Sequence, residues 1–104
     1  MKTMDQQMFE NRIPQEKPVL VEFSAPWCVY CRRIAGPMEK VAQQWEDRVD
    51  VFQVDIDQQP LLAEKEQIEV IPTLVVYRGG KVLGSIVAPE SKARIDSFLN
   101  EVLQ

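Results

Sequence analysis

Residues 19–23, VLVEF, form a nearly continuous apolar run that one carboxylate, Glu22, interrupts. A run without polar alternation is typical of a strand that is covered on both faces of its sheet. Apolar residues then recur at helical spacing and predict a helix with one buried stripe: Ile34, Met38, Val41 and Trp45. A second strand is predicted at residues 51–55, VFQVD. Two such strands joined by a helix form a parallel, right-handed βαβ unit, which indicates an α/β fold.

The last third of the chain predicts an antiparallel hairpin followed by a helix. The runs TLVVY, at residues 73–77, and VLGSIV, at residues 82–87, are separated by Arg78-Gly79-Gly80-Lys81. Glycine readily adopts the positive φ that tight hairpin turns need, so the two runs are expected to pair. The closing helix is predicted from about Ser91 to Leu103, because its apolar residues fall on one face. We therefore expect a mixed four-stranded sheet with helices on both faces.

Caps and prolines place the remaining helices. Thr3, with Gln6 three residues later, is typical of a capping box and predicts a short helix that ends near Arg12. Pro60 favours the first position of another short helix. Pro37 falls inside the helix of the βαβ unit, where it removes the hydrogen bond to the carbonyl of residue 33. A kink is expected there.

Composition and charge restrict the class of protein. The chain has 104 residues, enough for one domain, 1–104, with its own core. Its net charge is −4 and no basic stripe is present, so no nucleic-acid partner is expected. No apolar run approaches the roughly 20 residues of a membrane span, and residues 1–15 contain no apolar signal segment. We expect a cytoplasmic monomer that binds no membrane.

The chain has two cysteines, Cys28 and Cys31, with two residues between them. A disulfide that closes so small a ring stabilises a fold by only roughly 2 kcal/mol, so a structural staple explains the pair poorly. Structural zinc needs about four Cys or His ligands. Two Cys and no His cannot close such a site, so no metal is expected. The remaining interpretation is a dithiol that is oxidised and reduced in the course of its work.

Four features together resemble the thioredoxin family: SAPWCVYC after the first predicted strand, DIDQQP after the second, VIPTLVVYRGGK before the hairpin turn, and the order of the elements. The resemblance covers about residues 3 to 103 and implies a thioredoxin fold. The first strand of that fold is expected to be short or absent, since only Met1 and Lys2 precede the predicted cap. Departures from thioredoxin include Val29-Tyr30 in place of Gly-Pro between the cysteines, Glu22 in place of a buried Asp, and Gln53 in place of a common Lys.

The resemblance implies three catalytic residues. Cys28 is expected at a helix start, where free amides and the helix dipole stabilise a thiolate, and would attack the substrate disulfide. Cys31, one turn later, would then release the substrate. Glu22 would accept the proton of Cys31, because a buried carboxylate has a raised pKa. Two alternatives for Glu22 remain open: exposure by strand alternation, or an ion pair with a base such as Lys40.

The resemblance also implies a substrate-binding surface, formed by Trp27, Val29, Tyr30, Val70, Ile71, Pro72 and Ala88. Pro72 is expected to be cis and to face the dithiol, and the backbone of Ile71 to pair with an extended substrate. Val70 and Ala88 stand where the family often has glycine, which predicts a tighter groove. Trp27 would shield the nucleophile, with a core position as the alternative. Trp45 is expected to be a core residue.

The resulting functional hypothesis is a thiol-disulfide oxidoreductase that reduces protein disulfides. By resemblance it needs no cofactor besides the Cys28–Cys31 disulfide and is recharged by a reductase similar to thioredoxin reductase. A disulfide oxidase or isomerase and a glutathione-coupled enzyme similar to glutaredoxin remain alternatives. A third alternative, of another class, is an adaptor that keeps the fold but not the chemistry.

Overall fold

A central sheet of five strands organises the fold. The computed structural model describes residues 1–104. The strands are, in chain order, β1 (Lys2–Thr3), β2 (Val19–Ser24), β3 (Asp50–Asp55), β4 (Thr73–Arg78) and β5 (Lys81–Val87). Their order across the sheet is β1-β3-β2-β4-β5. The pairs β1–β3 and β2–β3 are parallel, whereas β2–β4 and β4–β5 are antiparallel. The mixed sheet is confirmed.

The sheet has five strands rather than four, because the first strand, expected to be short or absent, is present as a short strand of two residues, β1. Lys2 pairs with Phe52 and Thr3 with Gln53. Both side chains of β1 are exposed, so no apolar pattern marks the strand. The strand is defined by its backbone pairing with β3, whose residues are 50 positions away in the chain.

Five helices cover the two faces of the sheet: α1 (Gln6–Arg12), α2 (Val29–Arg33), α3 (Ala35–Gln44), α4 (Pro60–Lys65) and α5 (Lys92–Val102). The predicted cap of α1 is wrong. Thr3 belongs to β1, and Asp5 caps the helix by accepting a hydrogen bond of 2.8 Å from the backbone N–H of Met8. None of the helices has both the length and the apolar character that crossing a membrane requires.

The expected kink is a break between α2 and α3 at Ile34, whose φ and ψ are −92° and 1°. Pro37 lies three residues later and has no N–H to donate to the carbonyl of Arg33. The break keeps the first turn, with the cysteines, separate from the longer α3.

Two apolar clusters lie on opposite faces of the sheet. One joins the sheet to α3 and α5 and contains Leu20, Met38, Trp45, Leu74 and Phe98. The other lies under α1 and α4 and contains Phe9, Val21, Phe23, Leu62 and Tyr77. Strand β2 is buried at every position, as the apolar run predicts. Trp45 is a core residue, and its indole N–H donates to Asp96 at 3.0 Å.

Candidate active site

The nucleophile candidate, Cys28, ends the loop that leaves β2 and caps α2. Its Sγ accepts a hydrogen bond of 3.2 Å from the backbone N–H of Cys31. A thiolate at this atom would keep that bond and strengthen it, since hydrogen bonds to ionised acceptors are about twice as strong as neutral ones. The two-residue spacing therefore places Cys31 where its amide supports the sulfur of Cys28.

Cys31 is the other thiol of the pair and has a different environment. Its exposure, 5%, is close to the 6% of Cys28, so exposure alone does not separate their roles. Burial raises the pKa of Cys31 to about 12, and its hydrogen bond with Cys28 and the charges of Cys28 and Glu22 act in the same direction. A thiol of this kind needs a base before it can attack.

Glu22 lies fully buried in the middle of β2. Burial raises the pKa of its carboxyl group to about 7, although a hydrogen bond from Gln53 opposes the shift. That bond runs from Gln53 Nε2 to Oε1 at 3.4 Å, and Oε2 has no partner. Neither alternative holds: Glu22 is not exposed, and it forms no ion pair with Lys40. A carboxyl group that titrates near neutrality can accept and release a proton under working conditions.

Trp27 stands at the surface beside the nucleophile. Its side chain is 62% exposed, so the alternative of a core position is wrong. The indole N–H donates to Asp57 Oδ2 at 2.7 Å, which orients the ring. The sequence analysis did not identify Asp57 as a site residue. The acidic segment Asp55-Ile56-Asp57, at the end of the second predicted strand, was the signal that could have indicated it. Its backbone N–H is in turn bonded to Asp55 Oδ1 at 2.8 Å.

The predicted cis-proline segment lies beside the same sulfur. The Ile71–Pro72 peptide bond is cis, as expected, and the Sγ of Cys28 donates to the Ile71 carbonyl at 4.0 Å. Val29, Tyr30 and Val70 are 49%, 59% and 53% exposed. The structure thus brings a backbone carbonyl to the reactive thiol and leaves the apolar side chains next to Cys28 and Ile71 in the chain exposed.

Ala88 borders a cavity of about 410 Å³ on the side of Tyr30, together with Arg33, Ile34, Pro89 and Glu90. The φ of Ala88 is +45°, in the left-handed region where glycine is favoured. The guanidinium of Arg33 lies 5.2 Å from the centre of the Tyr30 ring. The Tyr30 hydroxyl group forms no hydrogen bond with either thiol.

Comparison with known proteins identifies the family. The family model described as Thioredoxin matches residues 1–101. The chain belongs to the thioredoxin family. A thioredoxin from Synechocystis is 36% identical over 94 residues, which cover 90% of this chain and 88% of that protein. A thioredoxin from Alicyclobacillus acidocaldarius is 33% identical and covers 98% and 97%. The structure of Plasmodium falciparum thioredoxin superimposes with a TM-score of 0.89 at 28% identity, over 97% and 98% of the two chains.

Membership in the thioredoxin family, together with the spacing of Cys28 and Cys31, makes this chain a thiol-disulfide oxidoreductase that works through a dithiol. The fold is the thioredoxin fold. The prediction that the chain is an enzyme is thereby confirmed, in preference to the alternative of an adaptor without the chemistry.

Val70 and Ala88 are expected to restrict large substrates. Each adds a side chain where glycine would let a peptide backbone approach more closely. Val70→Gly and Ala88→Gly should each raise kcat/KM for large protein disulfides by about two- to fivefold, which corresponds to roughly 0.5–1 kcal/mol. The rate with a small aromatic disulfide serves as the control and should not change. Equal effects on large and small disulfides would show that these side chains do not restrict the groove.

Proposed function

We propose that this chain reduces disulfide bonds of cytoplasmic proteins, with Cys28 as the attacking thiol and Cys31 as the resolving thiol. The observation that carries this proposal is the position of the Cys28 sulfur. It lies 3.2 Å from the Cys31 amide and 4.0 Å from the Ile71 carbonyl, and exposed Trp27, Val29 and Tyr30 flank Cys28 in the chain. We expect a substrate disulfide to approach that sulfur from the side of these residues, whereas burial raises the pKa of Cys31 to about 12 and makes Cys31 a poor first nucleophile.

The reaction exchanges two electrons in two steps. The Cys28 thiolate attacks one sulfur of the substrate disulfide, forms a mixed disulfide and expels the first substrate thiolate, which takes up a proton from solvent. Cys31 then passes its proton to Glu22 and attacks the Cys28 sulfur. This step breaks the mixed disulfide, expels the second substrate sulfur as a thiolate that takes up a proton from solvent, and leaves the Cys28–Cys31 disulfide. Substrate is reduced and the dithiol is oxidised.

A reductase of the thioredoxin reductase type would return the disulfide to the dithiol. A relative from Mycobacterium leprae, 32% identical over 99 residues, is a bifunctional thioredoxin reductase/thioredoxin, in which this chain corresponds to 22% of the length. That fusion supports pairing this chain with such a reductase. We further propose that the chain works as a monomer and that its redox-active cysteines make a bound cofactor unnecessary.

An insulin-reduction assay with dithiothreitol tests the proposed activity. The chain should accelerate the reduction of insulin disulfides well above the rate with dithiothreitol alone. A chain in which both cysteines are replaced by serine is the control and should leave that rate unchanged. Equal rates with and without the wild-type chain would overturn the proposal.

The reduction potential is expected to lie at roughly −270 to −220 mV, compared with about −270 mV for thioredoxin itself. The potential depends on how well the fold stabilises the Cys28 thiolate. The chain has no histidine to hold that charge, and the Tyr30 hydroxyl group donates no bond to it. Tyr30→Phe should therefore shift the potential by no more than about 20 mV, the equivalent of one weak hydrogen bond.

Equilibration against glutathione and against dithiothreitol measures the potential. A value above about −180 mV lies in the range of protein disulfide isomerase and would favour the oxidase or isomerase alternative. A shift for Tyr30→Phe much larger than about 20 mV would show that Tyr30 controls the thiolate.

A further inference from the structure

A second cavity, of about 370 Å³, lies beside the active site, between β5 and the segment that joins α4 to β4. Neither cysteine lines it. Its floor consists of buried side chains of β4, namely Thr73, Val75 and Tyr77. One wall is β5, through Val82, Ser85 and Val87, and the other wall is residues 66–70. We call this cavity the edge groove.

The edge groove carries unusually exposed valines. Val70, Val82 and Val87 are 53%, 58% and 54% exposed. Helix α5 covers the opposite face of β5, since a Cβ added at Gly84 would come within 2.8 Å of Val102. The apolar wall on the groove side therefore has no covering element of its own. Exposed apolar strips of this kind beside a reaction centre are typical of interaction surfaces.

The charged side chains that line the groove are both acidic, Glu66 and Glu69. The hydroxyl group of Tyr77 donates to Glu66 Oε1 at 2.7 Å and holds that carboxylate in place. Neither glutamate forms a salt bridge. Two carboxylates without basic neighbours in the lining, next to an apolar strip, complement a segment that carries apolar and basic residues.

One end of the edge groove meets the reaction centre. Val70 directly precedes Ile71, whose carbonyl lies 4.0 Å from the Cys28 sulfur, and Val87 pairs with Thr73 at the same end. The other end is Val82, beside the hairpin turn. From Val87 to Val82 the strand covers about 16 Å at roughly 3.3 Å per residue, so the groove accommodates about five residues of extended chain.

We propose that the edge groove binds an extended, apolar and basic segment of the substrate protein that adjoins the cysteine under attack. The inference rests on the proposed function and assigns a substrate class to it. A substrate whose flanking segment alternates valine-like and lysine-like residues places its apolar side chains on Val82 and Val87 of β5. Its ammonium groups then lie near Glu69 and Glu66.

Matched peptides test the inference. Each carries the same small disulfide loop and one five-residue extension, VKVKV, VEVEV or GSGSG, placed before the loop in one series and after it in another. In at least one series the wild-type chain should reduce the VKVKV peptide with a kcat/KM about fivefold or more above that for VEVEV, since surface charge pairs contribute factors of this size. The preference should shrink as salt is added.

Glu69→Lys should abolish or invert the preference, and Val82→Ser should lower kcat/KM for the VKVKV peptide without changing that for GSGSG. Glu101→Lys makes the same change of charge at an exposed position of α5, which covers the other face of the sheet, and should leave the preference intact. An equal loss in Glu69→Lys and Glu101→Lys would indicate an effect of net charge and overturn the inference. So would equal rates for the three peptides in both series.

Binding decides the question independently of turnover. The VKVKV peptide with its cysteines replaced by serine is titrated into the reduced chain, and backbone amide shifts are recorded. Shifts at residues 66–70 and 82–87 are expected. Shifts confined to residues 27–31 and 71–72 would overturn the edge groove. If the chain showed the expected shifts but reduced none of the disulfide peptides, the edge groove would be supported and the proposed function contradicted.

Discussion

Replacing Cys28 by serine is expected to abolish disulfide exchange, with a loss on the order of 10⁴-fold or more, as when a catalytic nucleophile is removed. Serine keeps the position at the start of α2 but has no accessible anion at neutral pH to attack sulfur. Cys31 cannot substitute for it, because burial raises its pKa to about 12. The measurement is the rate of insulin reduction under identical conditions for the wild type and the variant.

Cys31→Ser should give the opposite pattern. The first step remains, because the Cys28 sulfur and the amide that supports it are retained. The second step is lost, so a mixed disulfide between Cys28 and the substrate should accumulate and be visible by mass spectrometry of the intact complex. Cys28→Ser is the matched control and should form no such complex.

Alkylation provides an independent check of the two roles. Reduced protein treated at mildly acidic pH should be labelled at Cys28 first, because thiolate rather than thiol reacts. Faster labelling of Cys31, or a trapped complex through Cys31 in the Cys28→Ser chain, would reverse the assignment.

The second large effect is expected at Glu22. Glu22→Gln should slow release of the mixed disulfide by about 10²-fold, the lower range for loss of a general base, while its formation changes little. Glutamine keeps the size of the side chain but cannot take the proton of Cys31. Rapid-mixing measurements separate the two steps. Glu101→Gln, at an exposed position of α5, is the control and should alter neither step.

The same residue is expected to make stability depend on pH. The pKa of Glu22 rises from its ordinary 4.5 to about 7 in the fold. Between those values the unfolded chain loses the proton while the folded chain keeps it, so the free energy of unfolding falls as pH rises through this range. The difference corresponds to about 3 kcal/mol, fully lost above about pH 7.

Chemical denaturation at pH 5 and pH 8 tests this dependence. Glu22→Gln should remove most of the loss between the two values and should be the more stable chain at pH 8. Hydrogen bonds from Arg12 and Lys17 hold the pKa of Asp50 below its ordinary value, and those from Lys92 and Trp45 do the same for Asp96. These two carboxyl groups therefore affect stability only at lower pH. If the free energy of unfolding changed equally with pH in the wild type and in Glu22→Gln, the buried, protonated state of Glu22 would be contradicted. Equal slowing of both steps of exchange would contradict the role in catalysis.

Much of the fold could be predicted from the sequence because its signals are local. The buried strand, the amphipathic helices and the glycine turn each depend on residues close together in the chain. Strand β1 could not be predicted from local signals, because its two exposed residues form a strand only by pairing with β3. The cap of α1 was misplaced for the same reason: Thr3 is a good cap by type, but pairing with β3 engages it and leaves Asp5 to cap the helix.

The chemistry of the dithiol was likewise determined by the sequence. Two cysteines at this spacing, without histidine, leave few other uses, and the spacing itself places the Cys31 amide against the Cys28 sulfur. The tertiary structure decided what surrounds them. It buries Glu22 with one oxygen unpartnered, sets Asp57 against the Trp27 ring and brings Ile71 to the thiol from more than 40 residues away. These contacts join separate segments, and the pKa of a buried group depends on all of its neighbours in space, which no local pattern specifies.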